Sequence, residues 1–487
     1  MGRRQKPNLI YIFADQWRRQ AVGFEREDDV LTPNIDAFAL EGTIFSNAVT
    51  CSPLCSPHRA SMLTGKYPNS TGVYTNCKVG ADVSLSQDEI CISEVLAENG
   101  YQTGYIGKWH LDLPELNETD QPVSGAAGWD AYTPPGPKRH GFQYWYSYGA
   151  WDEHLTPHYW QDCPEKINVN QWSVEHETDK AIHYIQSRRD DQPFALFLSW
   201  NPPHSPFDQV PEKYRKLYNR ERIRLRENVN QSAFSVHTGE AMDGGMEELK
   251  DKQLNYFAAI SGIDDHFGRI LKYLKEEKLE ENTIVVLTSD HGEMMGSHGL
   301  MAKHVWYEES IGVPFCIRWP KKVPQIRTDL LLNTVDIMPT LLSLMKLDVP
   351  DTVEGNDLSG CILNQQISGP EEAYMCAYPG RKEAIEAFQK AGLNNREYGW
   401  RAIRTHEFTY VIHHGYAPGD EQIRLLYDLQ KDKYQLHPEH IDYPESHPIA
   451  KELERKLCCW LVDLNDPFYR RLMDRQTCIN VTPKKRI

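Results

Sequence analysis

The chain has 487 residues, is 40% hydrophobic and 11% aromatic, and carries a formal net charge of −16. This is enough apolar material for one large α/β domain with a smaller one beside it. The acidic balance argues against non-specific nucleic-acid binding, and no apolar run reaches the length of a membrane span. Eleven cysteines, at 51, 55, 77, 91, 163, 316, 361, 376, 458, 459 and 478, are spaced neither like a zinc module nor like a small disulfide scaffold. Most are read as buried thiols.

No leader pattern precedes the first strand, since Met1-Gly-Arg-Arg-Gln-Lys-Pro7 runs straight into it. That leaves open a periplasmic or secreted protein whose leader has been removed, or a cytoplasmic one. Asn8 to Asp15 is a continuous apolar run ending in a carboxylate, which reads as a strand buried on both faces, as in parallel sheets. Thr32-Pro33-Asn34 starts a helix that runs to about Gly42. Ile44 to Val49 is a short strand, Ile90 to Asn99 a helix stopped by Gly100, and Tyr101 to Trp109 a returning strand. Residues 112–172 read as irregular, rich in proline, glycine and aromatics. Ser173 to Arg188 is then a helix and Phe194 to Trp200 a buried strand. A charged excursion at 205–250 precedes a long amphipathic helix from Lys252 to Glu277. Thr283 to Asp290 is the clearest central strand, followed by a strand at Pro314 to Trp319 and a helix at Val335 to Met345. Strands alternating with helices imply a large, mostly parallel sheet covered by helices on both faces. After about residue 365 the pattern changes to short antiparallel strands at 402–405, 408–412 and 425–429, a helix from about Ala450 to Val462 and a polar tail. The expected division is 1–365 for a catalytic α/β domain and 366–487 for a smaller α+β part that completes the pocket.

Between the second strand and the next helix lies Cys51-Ser-Pro-Leu-Cys55-Ser-Pro57-His-Arg59-Ala-Ser-Met-Leu63-Thr64-Gly65. Pro57 pre-sets φ and suits the first positions of a helix, so Cys55 falls at a helix N-terminus, where backbone N–H groups favour an anion. Five further fragments put charge at strand ends, where open α/β sheets bind their ligands. They are Ala14-Asp15-Gln16, Gly107-Lys108-Trp109-His110, Pro202-Pro203-His204, Ser289-Asp290-His291-Gly292-Glu293 and Lys303-His304. Asp15 is a candidate metal ligand, with Gln16 a neutral oxygen beside it. Each fragment alone also suits a plain cap, turn or loop; their joint occurrence carries the weight.

Cys55-x-Pro57-x-Arg59 running into Leu63-Thr64-Gly65 resembles the signature of type I sulfatases of the alkaline phosphatase superfamily. The five fragments resemble that family's motifs in the same chain order. The resemblance covers both parts of the chain and implies an alkaline phosphatase-like α/β domain with a smaller C-terminal α+β domain containing an antiparallel sheet. It also implies that Cys55 is oxidised to formylglycine by a maturation enzyme that reads the unfolded chain. Cys51 opens the same spacing, but Cys55 stands where an arginine is needed. A thiol would be trapped as a stable sulfate adduct. An aldehyde hydrate offers one hydroxyl to attack sulfur and a second that lets sulfate be expelled. One divalent cation, calcium or magnesium, is implied between Asp15, Gln16, Asp290, His291 and the oxygen of residue 55. Family members often carry Asp where this chain has Gln16 and Asn where it has His291, and a nitrogen donor leaves the metal's identity open. In the implied roles Lys108 and Lys303 clamp the sulfate, His204 protonates the leaving oxygen, His110 is the base that expels sulfate, and Arg59 orients residue 55. His110 follows Lys108 by two residues along an extended segment, which places both side chains on one face.

Residues 142–160 hold eight aromatics in nineteen positions, interleaved with basic and acidic side chains. Sugars stack on aromatics, so Arg139, His140, Trp151, His154 and His158 are the candidate substrate contacts. The competing reading is a large loop that packs its own core. The expected function is hydrolysis of a sulfate ester on a carbohydrate of the glycosaminoglycan type. One rival is a phosphonate monoester or phosphodiester hydrolase of the same superfamily, which the Gly-Lys-Trp-His element counts against. Another is a non-catalytic glycan-binding protein, which the intact Cys55, Arg59, Asp15, Asp290, Lys108 and Lys303 count against.

Overall fold

The structure is a computed structural model and describes residues 6–189, 191–229, 240–241, 245–364 and 367–473. Eight strands form the main sheet: β1 (Asn8–Asp15), β2 (Thr43–Val49), β3 (Gln102–Lys108), β4 (Tyr144–Tyr148), β5 (Phe194–Pro203), β6 (Thr283–Ser289), β7 (Phe315–Arg318) and β8 (Ile326–Asn333). Their spatial order is β8-β2-β7-β6-β1-β5-β3-β4. β7 runs antiparallel to both its neighbours, and the other pairs are parallel.

Side chains alternate faces along a strand. In β1, Ile10, Ile12 and Ala14 pack into one apolar cluster, while Leu9, Tyr11 and Phe13 pack into the other. β5 and β6 divide in the same way. Both faces are covered by helices, so a central strand here must be apolar at every position. Helices α1 (Pro33–Leu40), α2 (Cys55–Thr64), α3 (Ile92–Glu98), α4 (Ser173–Ser187), α5 (Met246–Glu276) and α6 (Ile337–Leu344) supply most of that cover. α5 begins six residues before the expected Lys252, so it takes in the end of the supposed charged excursion. Residues 230–239 and 242–244 of that excursion, and the polar tail from 474, lie outside the described residues.

The second sheet is wholly antiparallel: β9 (Glu372–Ala377), β10 (Trp400–Thr405), β11 (Phe408–His413), β12 (Ile423–Asp428) and β13 (Glu439–His440), in that order. It too is buried on both faces. Tyr410, Ile412 and Leu426 meet Leu453, Leu457 and Leu461 of a helix at Pro448–Asp463. Val411, Leu425 and Tyr427 meet Trp306, Tyr307 and Ile311 of the larger part. A buried ion pair crosses the same junction, with Glu308 held by Arg404 at 3.2 Å and by Arg19 at 2.9 Å. No helix among the described residues is long and apolar enough to cross a membrane.

Candidate active site

The four adjacent strands β6, β1, β5 and β3 end on the same side of the sheet, at Ser289, Asp15, Pro203 and Lys108. Their C-terminal ends and the segments that follow bring Asp290, His291, Asp15, Gln16, His204 and Lys108 together, as the fold class dictates. Two glycines permit this approach. A Cβ on Gly107 (φ +98°) would lie 2.1 Å from the Ser199 carbonyl oxygen, and one on Gly292 would lie 1.9 Å from that of Glu309. Gln16, His110 and His304 hold left-handed backbones at φ +69°, +56° and +80°. Each costs on the order of 1–3 kcal/mol, and such strain concentrates at functional sites.

Cys55 is the first residue of α2, with Pro57 two residues on, where a missing N–H costs nothing. Its Sγ lies 3.3 Å from His291 Nε2 and 3.6 Å from Asp15 Oδ1. Burial, and then the Asp15 charge, push the thiol up to about 12, so it is no ready nucleophile. Arg59, one turn along, donates through Nη2 to Asp15 at 3.1 Å and Asp290 at 3.2 Å. Its Nη1 donates to the Lys108 carbonyl at 2.6 Å and Ser199 Oγ at 2.8 Å. Arg59 therefore fixes both carboxylates and the end of β3 at once.

The metal-ligating atoms of Asp15, Cys55, Asp290 and His291 all lie within 4.8 Å of one another, and all four residues are buried. His291 Nδ1 faces the Gly292 carbonyl at 3.0 Å, which directs its Nε2 lone pair at the carboxylates. Burial and the neighbouring Asp15 hold the Asp290 carboxyl up to about 7. Asp15 itself stays well below the ordinary range: burial opposes this, but Lys108, His204 and Arg59 override it. Two crowded buried carboxylates with a free imidazole nitrogen form a donor set that suits a divalent cation. Gln16 sits beside this group. Its backbone N–H donates to Asp290 at 3.0 Å, its side-chain oxygen accepts from Lys303, and its amide nitrogen donates to Glu293.

A cavity of about 800 Å³ opens over Cys55, lined on its inner side by Gln16, Lys108, His110, Asp152, His204 and Lys303. Lys108 Nζ lies 2.7 Å from Asp15 and donates to Asn201 at 3.0 Å. Burial lowers a lysine, yet Asp15 keeps Lys108 above its usual value. His110 does not continue the extended segment as expected: β3 ends at Lys108 and the backbone turns left-handed at His110. Its side chain reaches the same cavity by that turn. Nε2 faces the Cys77 carbonyl at 3.1 Å, and Nδ1 is buried with no partner among the described residues. Burial and Lys108 keep His110 well below the ordinary imidazole range. His204 turns Nδ1 to the Ser205 carbonyl at 2.7 Å and accepts from Lys303 at 3.2 Å through Nε2; burial and Lys303 lower it to about 4.

The five expected substrate contacts are not brought to the cavity. Arg139 is buried, with its guanidinium on the Thr133 and Gln161 carbonyls and on Asp162. His140 is buried 3.6 Å from Glu94, and His158 faces Asp130 at 2.6 Å. Trp151 packs against His158, and His154 faces the His204 carbonyl at 2.9 Å. The loop packs its own core, because Tyr146, Tyr148, Tyr159 and Trp160 fill the edge of the main sheet. Its contribution to the cavity comes instead from Trp129, Ala150 and Asp152. Sequence reasoning also missed Asn201, although Trp200-Asn201-Pro202 marks a strand end. Lys78 lies in a loop, and Arg381 and Lys382 cap and begin a short helix at Lys382–Lys390, with no such signal.

Residues 7–347 match the sulfatase family model, and residues 296–461 match the model for the C-terminal part of N-sulphoglucosamine sulphohydrolase. The endo-4-O-sulfatase of Bacteroides thetaiotaomicron is 36% identical over 492 residues, covering 96% of this chain and 94% of its own. The ulvan-active sulfatase of Formosa agariphila is also 36% identical, covering 96% and 83%. A solved B. thetaiotaomicron structure, described under the metabolism of multiple glycosaminoglycans, superposes with a TM-score of 0.84 at 34% identity, covering 97% of this chain and 99% of its own. The phosphonate monoester hydrolase of Agrobacterium radiobacter shares the fold, with a TM-score of 0.74 at 22% identity over 94% of this chain and 95% of its own.

Proposed function

The chain belongs to the sulfatase family, and from that premise we propose that it removes sulfate from a glycosaminoglycan-type carbohydrate by chemistry centred on residue 55. The observation that carries this reading is Cys55 in the first turn of α2, against Asp15 and His291, with Lys108 and Lys303 lining the same cavity. Asp15, Asp290 and His291 would hold a hard divalent cation, with Gln16 at its edge. The carboxylates suit calcium or magnesium, and the His291 nitrogen leaves the choice between them to metal analysis. When present, the cation supplies charge beside the attacking oxygen, and an aldehyde hydrate at position 55 supplies that oxygen and a route to release sulfate. Cys55 is only 1% exposed, so a maturation enzyme would meet it before the chain folds.

The remaining roles belong to side chains. Lys108 and Lys303 bind the sulfate oxygens and neutralise charge that grows on them. Bound sulfate would sit against both His204 and Lys303, offsetting the lysine's effect and raising His204 toward protonation. His204 can then give a proton to the leaving sugar oxygen. His110, neutral and with Nδ1 unpaired, accepts a proton from residue 55. Arg59 keeps Asp15 and Asp290 in register with the first turn of α2.

We divide the chain at about residue 365, with the C-terminal part contributing Gly380–Glu383 to the cavity wall. A polymeric sulfated substrate is met outside the cytoplasm, which favours a periplasmic or secreted location. Ala14-Asp15-Gln16-Trp17-Arg18 resembles the first strand of phosphonate and phosphodiester hydrolases and keeps that rival in view, and Lys108 works against it because a diester places a substituent where sulfate has a bare oxygen. The test is kcat/KM for an aryl sulfate against a matched phosphodiester. The sulfate ester is expected to win by orders of magnitude, and a faster phosphodiester would overturn the reading.

A further inference from the structure

The inner cations of the cavity are already matched by carboxylates. Lys108 lies against Asp15, and Lys303 and His204 share the site with Asp15, Asp290 and Asp152. The outer cavity is different. Its walls carry Lys78, Arg381 and Lys382, and Glu383 is the acidic residue among its lining. Lys382 lies 3.9 Å from Glu386. Among the described residues neither Lys78 nor Arg381 has a salt-bridge partner. A chain of net charge −16 has therefore gathered three cations at the mouth of its active-site cavity, with Glu383 beside them and Glu386 against Lys382.

This region is built from two distant segments that touch, a loop at 75–80 and the start of a helix at Lys382–Lys390. A Cβ on Gly80 would lie 2.9 Å from Lys382 Cδ, and one on Gly380 would lie 2.0 Å from Thr75 Oγ1. Asn117 pins the first loop, accepting from the Gly80 N–H at 2.8 Å and donating to the Lys78 and Ala81 carbonyls at 3.2 and 3.0 Å. Trp129, 44% exposed, joins the inner cavity to the outer: its ring lies 6.3 Å from that of His110 and 5.7 Å from Lys78 Nζ. The positive field is felt by its neighbours. Burial first, then Arg381, lowers Lys78, and burial followed by Lys78 and Arg381 lowers His304 to about 3.

We infer that Lys78, Arg381 and Lys382, with Trp129, form a second anion subsite that holds an acidic group on the sugar next to the one bearing the scissile sulfate. This rests on the sulfatase reading above and narrows its substrate to polyanionic carbohydrate. The acidic group is a carboxylate or a second sulfate, since both bind paired cations through charge-assisted hydrogen bonds. The backbones that carry the cations are already held against each other, which lowers the cost of ordering the site.

The test uses the full chain with metal and modified residue 55. Its substrates share one scissile sulfate ester and carry a neutral, carboxylated or sulfated neighbouring sugar; a small aryl sulfate is run beside them. The wild-type protein is expected to prefer an acidic neighbour over the neutral one by about tenfold or more in kcat/KM, chiefly through KM. The carboxylated and sulfated arms tell which group the subsite takes. Lys78→Ala with Arg381→Ala should erase that preference, while Lys78→Arg with Arg381→Lys, which keeps both charges, should retain it. Equal use of all three neighbours by the wild type, or a preference that survives the double alanine variant, would overturn the inference. Failure to hydrolyse any sulfate ester, aryl sulfate included, would instead sink the sulfatase reading beneath it.

Discussion

Lys108→Ala separates a sulfatase from a phosphodiesterase built on the same fold. The ammonium is 2% exposed, 2.7 Å from Asp15 and 3.0 Å from Asn201. It is a buried, fixed charge that lines the cavity above Cys55. Removing one such preorganised donor from a group that gains charge in the transition state costs about 2.7–4 kcal/mol, or on the order of 10²–10³ in kcat. The fold should survive, because Asp15 keeps Arg59 at 3.1 Å. The unfolding free energy should therefore fall by much less than the roughly 3–5 kcal/mol of a stranded buried charge. A phosphodiester puts a substituent where sulfate has an oxygen, so it gains less from Lys108 and loses less without it. Measuring kcat and KM on a matched aryl sulfate and aryl phosphodiester should show the sulfate preference shrinking, with the loss mainly on the sulfate side. Equal losses on both substrates, or unaltered sulfate turnover, would refute the role given to this lysine.

Asp290→Ala should lose bound divalent cation and nearly all turnover with its far-UV spectrum unchanged; metal analysis that still finds the cation would remove Asp290 from the site. Glu308→Gln tests the junction between the two sheets. Burial would raise this carboxyl, but Arg404 and Arg19 bring it down to about 2 from 4.5. A depressed carboxylate gives stability that is present above its unfolded value and lost as pH falls toward the folded one. The variant should therefore be weaker by about 3 kcal/mol at pH 7, with the gap closing between pH 4.5 and 2. Denaturant titrations at pH 7 and pH 3 that show the same gap would contradict this.

The central strands were legible because a sheet covered on both faces leaves a run such as Leu9 to Ala14 with no polar position. The edge strands β4 and β8 were not. β8 alternates half-buried and exposed positions over its first half, and β4 lies inside an aromatic loop whose composition suggests a binding surface. That composition also drew the expected substrate contacts to residues that do not line the cavity. Trp151, His154 and His158 stand in a sequence rich in rings because those rings form a core. The inner site was readable because its residues follow strand ends or begin a helix, so chain order predicts their meeting. The outer cavity was hidden because Lys78, in a loop, and Arg381, capping a helix, lie about 300 positions apart and are joined only by tertiary docking. The turn at His110 was hidden for a related reason: a left-handed backbone at a non-glycine residue is imposed by its surroundings and leaves no mark in the sequence.

The most direct measurement is the mass of the peptide spanning Cys55-Ser-Pro57-His-Arg59, taken on preparations whose aryl sulfatase turnover has been titrated. The expected result is an aldehyde in place of the thiol, in a fraction that rises and falls with turnover, and no activity in material that retains the thiol throughout. Full sulfatase turnover from protein in which residue 55 is an intact cysteine would contradict the account.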